Sequence, residues 1–152
     1  MRSTAAKAAA AMIAAPIALC GCASEPSSQN IVTVGYSEAG ATTSAVLEVD
    51  GIRCAMVGDQ ALLGSTEPHE GTQAQFTASS RPGPGTFTTG ASLGEDLWFL
   101  SDAPFDLVDD GAVFDDIPGT VARGDSITSA TEVVDAAATL SADIRCTTGE
   151  LE

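Results

Sequence analysis

Basic residues are scarce in this sequence. Lysine occurs once, at Lys7, and five arginines stand against 21 acidic residues in a chain of 152, for a formal charge of −15. Nucleic-acid binding needs clustered Lys or Arg to neutralise phosphates, so that function class is excluded. Anionic lipid headgroups are repelled for the same reason. Histidine also occurs once, at His69, so at most one imidazole is available as a catalytic base. Long hydrophobic runs are missing too. The apolar run over residues 8–19 is about a dozen residues, whereas a membrane-spanning helix needs ~20.

That short run nevertheless has a recognisable context. Arg2 and Lys7 precede it, and Leu19-Cys20-Gly21-Cys22 follows it. A basic start, a short apolar core and small residues at the end describe a secretory signal peptide. The last four residues resemble a bacterial lipobox, in which the final Cys becomes the acylated N-terminus, although Cys at the second position is less usual than Ala or Ser. Cleavage before Cys20 would place Leu19 at the cut, where it fits poorly. The competing reading is a secreted protein cut near Ala23. The expected organisation is a cleaved signal over residues 1–21, a polar tether over 22–30 and one β-rich domain over 31–152. One acyl chain binds a membrane only marginally, so a durable anchor on Cys22 needs two or three.

Cleavage before Cys22 removes both early basic residues and no acid. The mature chain keeps 21 acids against Arg53, Arg81, Arg123 and Arg145, a net charge of −17. Membrane attachment would then rest on the acyl groups alone. Of the four cysteines, Cys20 leaves with the signal and Cys22 takes lipid. Cys54 and Cys146 remain in an oxidising, exported setting, which favours a disulfide. Two cysteines without His or Cys neighbours are half of a zinc site, and no cofactor is expected.

Hydrophobic periodicity beyond residue 30 is mostly two, the period of a half-buried strand. Residues 31–34, 44–49, 52–57, 72–78, 86–89, 97–100, 111–117 and 139–146 read as strands. Asp50-Gly51 is a strong hairpin signal between two of them. Residues 81–85 (RPGPG) form a hard turn. Residues 126–138 allow one short helix, capped by Ser126 or Ser129. Several short strands with Gly and Pro turns predict a mostly-β fold, a single antiparallel β-sandwich-like domain.

Three motifs invite a chemical reading. Gly90-Ala91-Ser92-Leu93-Gly94 matches G-x-S-x-G, but a nucleophile elbow needs a following helix and a base later in the chain. Here a strand pattern follows, and His69 precedes Ser92. The acids Asp102, Asp106, Asp109, Asp110, Asp115 and Asp116 could supply oxygen ligands for calcium, but their spacing fails the EF-hand pattern, and a solvated acidic face is the simpler reading. Trp98 and Phe99, adjacent on a strand, should point to opposite faces, one into the core and one partly exposed. The exposed ring would be a candidate contact for a lipid or protein partner. His69, between Glu67 and Glu70, reads as a surface loop residue.

Several short features together resemble the LpqH-type lipoprotein antigens of mycobacteria and related actinobacteria. They are the lipobox; Cys54 after Val49-Asp50-Gly51; Gly90-Ala91-Ser92-Leu93-Gly94 leading to Leu97-Trp98-Phe99; Gly111-Ala112-Val113-Phe114 through Ile117-Pro118-Gly119-Thr120; and Ala142-Asp143-Ile144-Arg145-Cys146. The resemblance spans most of residues 45–146. It implies a lipid-anchored envelope protein at the extracytoplasmic face of the cell membrane, a disulfide between Cys54 and Cys146, and no enzymatic activity. In an animal host it also implies recognition of the lipid by Toll-like receptors. The tether here is short and lacks Thr, unlike the Thr- and Ala-rich tethers of that family. The alternative expectation is a carrier for a small apolar or lipidic ligand, with a lined cavity between its sheets.

Overall fold

The computed structural model describes residues 30–65, 76–83, 87–94, 96–147, 149 and 151. The expected signal and lipidation site at Cys22 lie outside the described residues, as does His69. Ten strands follow one another: β1 (Asn30–Glu38), β2 (Ala41–Val49), β3 (Ile52–Val57), β4 (Gln60–Ser65), β5 (Phe76–Ser80), β6 (Thr88–Ser92), β7 (Leu97–Ser101), β8 (Asp106–Val108), β9 (Gly111–Arg123) and β10 (Glu132–Arg145). All pairings are antiparallel, in the order β2-β1-β10-β9-β7-β6-β5-β4-β3, with β8 on β9. The mostly-β expectation holds. One continuous curled sheet, a half-barrel, takes the place of two facing sheets. Among the described residues there is no helix, so none is long and apolar enough to cross a membrane.

The hairpin expected at Asp50-Gly51 does not form. β2 and β3 stand at opposite ends of the sheet order, because each has a nearer partner. β2 folds back on β1 through Ala39-Gly40, both at positive φ (51° and 83°), and β3 pairs with β4 across Gly58 and Asp59. Two residues in left-handed conformation match the twist of flanking strands, so the reversal was available one strand earlier. Asp50 and Gly51 (φ 62°) instead form a corner joining the two ends of the sheet. Three Cα–Cα steps of about 3.8 Å hold Val49 and Ile52 within ~11 Å. A ten-stranded sheet whose ends lie that close must curl.

β9 and β10 supply the curvature. Their register shifts between Val133 and Asp135, between Asp135 and Ala138, and between Leu140 and Ala142. Such bulges bend a strand and raise its twist. Each leaves main-chain groups off the ladder, and short polar side chains take them up. Asp135 accepts the N–H of Ala137 (2.8 Å) and of Ser37 (2.6 Å). Ser141 Oγ donates to Asp116 Oδ1 (2.5 Å) and accepts the Asp116 N–H (3.3 Å), at a residue with φ 45°. Aspartate tolerates that conformation better than most residues. The short helix expected over residues 126–138 is overturned here. Residues 132–138 pair with β9, and only a hydrogen-bonded turn, Ser129 N–H to Ser126 C=O, remains of it. Glu132 and Val133, adjacent and so on opposite faces, are both exposed at the start of this bulged strand, and burial begins further along at Ala138 and Leu140.

The concave face is the core. Val32, Val34, Val49, Ile52, Phe76, Phe99, Phe114, Val121, Leu140 and Ile144 are fully buried there. At roughly 1.5–3 kcal/mol for each large side chain, this burial is the main stabilising term. Phe76 and Phe105 pack on Phe114, with ring centroids 5.5 and 4.6 Å away, and Phe87 packs on Phe105 at 5.3 Å. Asn30, assigned from sequence to the tether, is the first residue of β1 and is buried. Its side chain donates to Arg145 C=O (3.0 Å) and accepts Arg145 N–H (2.7 Å), an amide pairing that imitates a ladder rung. Cys146 follows immediately and forms the expected disulfide with Cys54 of β3. Thr147 N–H then donates to Ile52 C=O (2.8 Å). Strands from both ends of the sheet thus meet at one corner.

Two stability outcomes follow. Replacing both cysteines with serine should cost about 4–5 kcal/mol in the chain-entropy account of so long a loop, read as the shift in urea midpoint at constant slope. Thr89 Oγ1 is, among the described residues, the one buried side-chain oxygen or nitrogen without a hydrogen-bond partner. Thr89→Val removes that desolvated hydroxyl at nearly constant volume and should stabilise by about 1 kcal/mol. A fall in melting temperature would mean that the hydroxyl is satisfied in solution.

Candidate functional site

Among the described residues, those singled out in the sequence do not converge. The Cys54–Cys146 bond lies at the sheet corner, and the G-x-S-x-G segment lies along β6 and its exit. Ser92 is buried, and its Oγ donates to Gly94 C=O at 3.0 Å. The turn leads into strand β7, so no helix follows the serine. The acids over residues 102–116 are spread along β8, β9 and their connections. Asp110 pairs with Arg145, and Asp116 is held by Ser141. Among the described residues, no three His, Cys, Asp or Glu side chains come together in a way that could hold a metal ion.

Trp98 and Phe99 do point to opposite faces, but both are buried, at 8% and 0% exposure. Phe99 enters the core. Trp98 lies on the convex side, where it should have met solvent, but residues 124–131, the connection from β9 to β10, fold back over it. Its Nε1 donates to Gly124 C=O (3.0 Å), and Gly124 N–H donates to Asp96 C=O (2.9 Å). Thr131 N–H returns to Arg123 C=O (3.1 Å), closing the connection into a flap. The partner contact expected of an exposed ring at this pair is therefore corrected: the flap occupies that face. A sequence reading has no means of seeing this, because the covering residues are some 30 positions away and those from 126 onward have the composition of a short helix.

The flap also walls a cleft. Residues directly opposed on antiparallel strands share a face, and register aligns Thr77, Gly90, Leu100 and Thr120 in one row across β5, β6, β7 and β9. Ile127 reaches over this row from the flap. It lies so close to Gly90 that a Cβ there would fall 2.0 Å from its Cδ1, so only glycine leaves room for it. Beside Ile127 is an open cleft of about 500 Å³, with Thr77, Thr88, Thr120 and Thr128 supplying hydroxyls, Leu100 and Ile127 supplying apolar surface, and Asp102 the one charge. A site of this composition can hold a small neutral or cationic molecule by van der Waals contact and hydrogen bonds. Among the described residues that line it, no nucleophile is paired with a base. The Gly-x-Gly spacing of the motif was visible in the sequence, but its use as a bed for Ile127 was not.

Two arginine clamps frame the sheet. Arg123, at the end of β9, pairs with Glu38 of β1 and with Asp96 (3.0 Å). Arg145, at the end of β10, pairs with Asp110 and with Asp143 (3.0 Å). Hydrogen bonds to Asp96 and then Glu38 raise the Arg123 pKa above its usual value, as those to Asp110 and Asp143 do for Arg145. A raised folded-state pKa stabilises below the unfolded value and is lost only as pH rises through the folded one. Both clamps are therefore intact throughout the neutral range.

No protein-family model, curated protein or solved structure matches the chain.

The flap can be checked with the sole tryptophan as reporter. Gly90→Leu should displace Ile127, lift residues 124–131 and shift Trp98 emission to longer wavelength, while the melting temperature falls by only a few degrees. Unchanged emission would mean that the flap's position does not depend on the space at Gly90.

Proposed function

We propose that this chain is an exported lipoprotein of the cell envelope, anchored through acylated Cys22 at the extracytoplasmic face of the cell membrane. Its β domain is a non-enzymatic surface antigen or interaction module, as the resemblance to LpqH-type antigens implies. The observation that carries this reading is the Cys54–Cys146 bond at the structural corner of the fold. A domain whose end strand β3 is tied to the exit of β10 by a disulfide suits an oxidising compartment, and the N-terminal sequence supplies a route there. The charge supports it as well. A mature surface of −17 does not adhere to anionic headgroups, so the domain stands clear of the membrane on its tether.

A second reading, a binding module for a small ligand, is favoured by the convex-face cleft. That cleft differs from the cavity between sheets expected of a lipid carrier. It is open and mostly apolar with a minority of polar surface from threonine hydroxyls, and the concave side is filled by phenylalanines. It suits a small amphipathic molecule better than an acyl chain.

Intact mass of the protein from the membrane fraction, before and after reduction, tests the first reading. The expected result is a chain starting at Cys22 with two or three acyl groups, gaining two hydrogens on reduction. A chain starting elsewhere without lipid would overturn the anchor and leave a free secreted protein.

A further inference from the structure

β2 is a bare edge. It ends the sheet order, and among the described residues its only ladder partner is β1. Exposed edge strands offer a row of unpaired N–H and C=O groups to any other strand, and proteins ordinarily blunt them with Lys, Pro, bulges or short length. β2 has none of these. It runs nine residues, ATTSAVLEV, in unbroken register with β1 and with Glu48 as its one charge. The opposite edge is treated differently, since Thr147 bonds to β3 and the disulfide lies across it.

The side chains on β2 add a pattern. Val46 is 63% exposed on the convex face, and Ile31, 48% exposed, lies diagonally beside it on β1. These are the two large exposed hydrophobics at this end of the sheet, and they adjoin the open edge. The chain is otherwise strongly acidic, so a second copy can approach only where negative charge is thin. β2, with one acid in nine residues, is such a place.

We infer that β2 is a self-association edge, at which a second copy of this chain pairs β2 against β2 in antiparallel register about a two-fold axis at Val46. Symmetric pairing is the default for identical edges, and the side chains select the register. With Val46 opposite its own counterpart, Glu48 faces Ser44 of the other copy, Ala45 faces Leu47, and the two Ile31–Val46 pairs merge into one apolar patch. Sliding the axis to Leu47 sets Val46 against Glu48. Sliding it to Glu48 sets two carboxylates against each other, which destabilises a cross-strand pair. The dimer joins the two half-barrels edge to edge and leaves both flap clefts uncovered. It does not depend on the lipid anchor.

Cross-linking in cells producing the full chain tests this, whatever its processing. Directly opposed antiparallel residues have Cα atoms about 4.5–5.5 Å apart, within disulfide range. Val46→Cys should therefore give a covalent dimer under mild oxidation. Ser44→Cys should not, because the axis at Val46 separates the two copies of residue 44 by about four residues, or ~13 Å. Leu107→Cys, exposed on β8, is the control for random collision. In parallel, sedimentation of the purified protein should show Val46→Glu lowering the dimer population at least tenfold with an unchanged melting temperature. Equal cross-linking at all three positions would overturn the proposal, as would dimer at Ser44→Cys alone or a wild-type chain that sediments as a monomer at about 0.1 mM. A partner pairing other than a second copy would appear as a cross-link of different mass at Val46→Cys, and this too would overturn it.

Discussion

The short link between β2 and β3 is the constraint on which the architecture depends. Two residues cannot span an open ten-stranded sheet, yet they connect its first and last strands in the sheet order. The sheet must therefore bring its ends together, and the bulges of β9 and β10 provide the bend. Asn30, the disulfide and Thr147 then bind the strands that converge on the corner. The polar side chains at the bulges are part of the same solution. Curvature takes main-chain groups off the ladder, and buried or half-buried groups of that kind are costly unless paired. Asp135 and Ser141 are short enough to reach back to them.

Curling also divides the functional surfaces. The concave side is occupied by phenylalanines and aliphatic residues, and its few buried polar groups among the described residues include Thr89 and the corner residue Asn30, whose amide is taken up by Arg145. Open surface is left on the convex side and at the edges. There the β9–β10 flap converts a flat sheet face into a walled cleft, using Trp98 as its hydrogen-bonded foot and Gly90 as the seat for Ile127. Arg123 and Arg145 are committed to clamps, and no basic residue lines the cleft among the described residues, so any ligand there meets threonine hydroxyls and Asp102 rather than cationic groups. That composition disfavours anions.

Much of the strand content was legible in the sequence, because period-two burial is a local property. Residues 44–49, 52–57 and 139–145 alternate and are strands, and the apolar stretch 97–100 is a strand as well. Leu140 and Ile144 are fully buried as the alternation required. Partner choice was not legible. Asp50-Gly51 has the composition of a hairpin, but composition does not say whether the flanking strands have better partners. Ala39-Gly40 looks weaker and forms the tighter reversal. β4 was missed because Gln60, Gly64 and Ser65 dilute a short alternation around Leu63. The helix expected over residues 126–138 failed because alanines, good helix formers in isolation, were instead spaced for bulges, and pairing with β9 outweighed propensity. The exposure expected at Trp98 or Phe99 failed for a related reason: a strand's two faces are fixed locally, but what covers them is not.

The corner has a mechanical consequence. Residue 30 is where the β domain begins, and β1 runs from it between β2 on one side and β10 on the other. A pull through that residue along the strand loads both ladders in shear. All nine β1–β2 register pairs resist together, so the rungs cannot open one at a time. The amide clamp of Asn30 shares the load at the first rung and passes it to Arg145. From there the covalent bridge one residue further on carries it to the far end of the sheet. A force applied at residue 30 would thus grip the domain at the place where it is hardest to unzip.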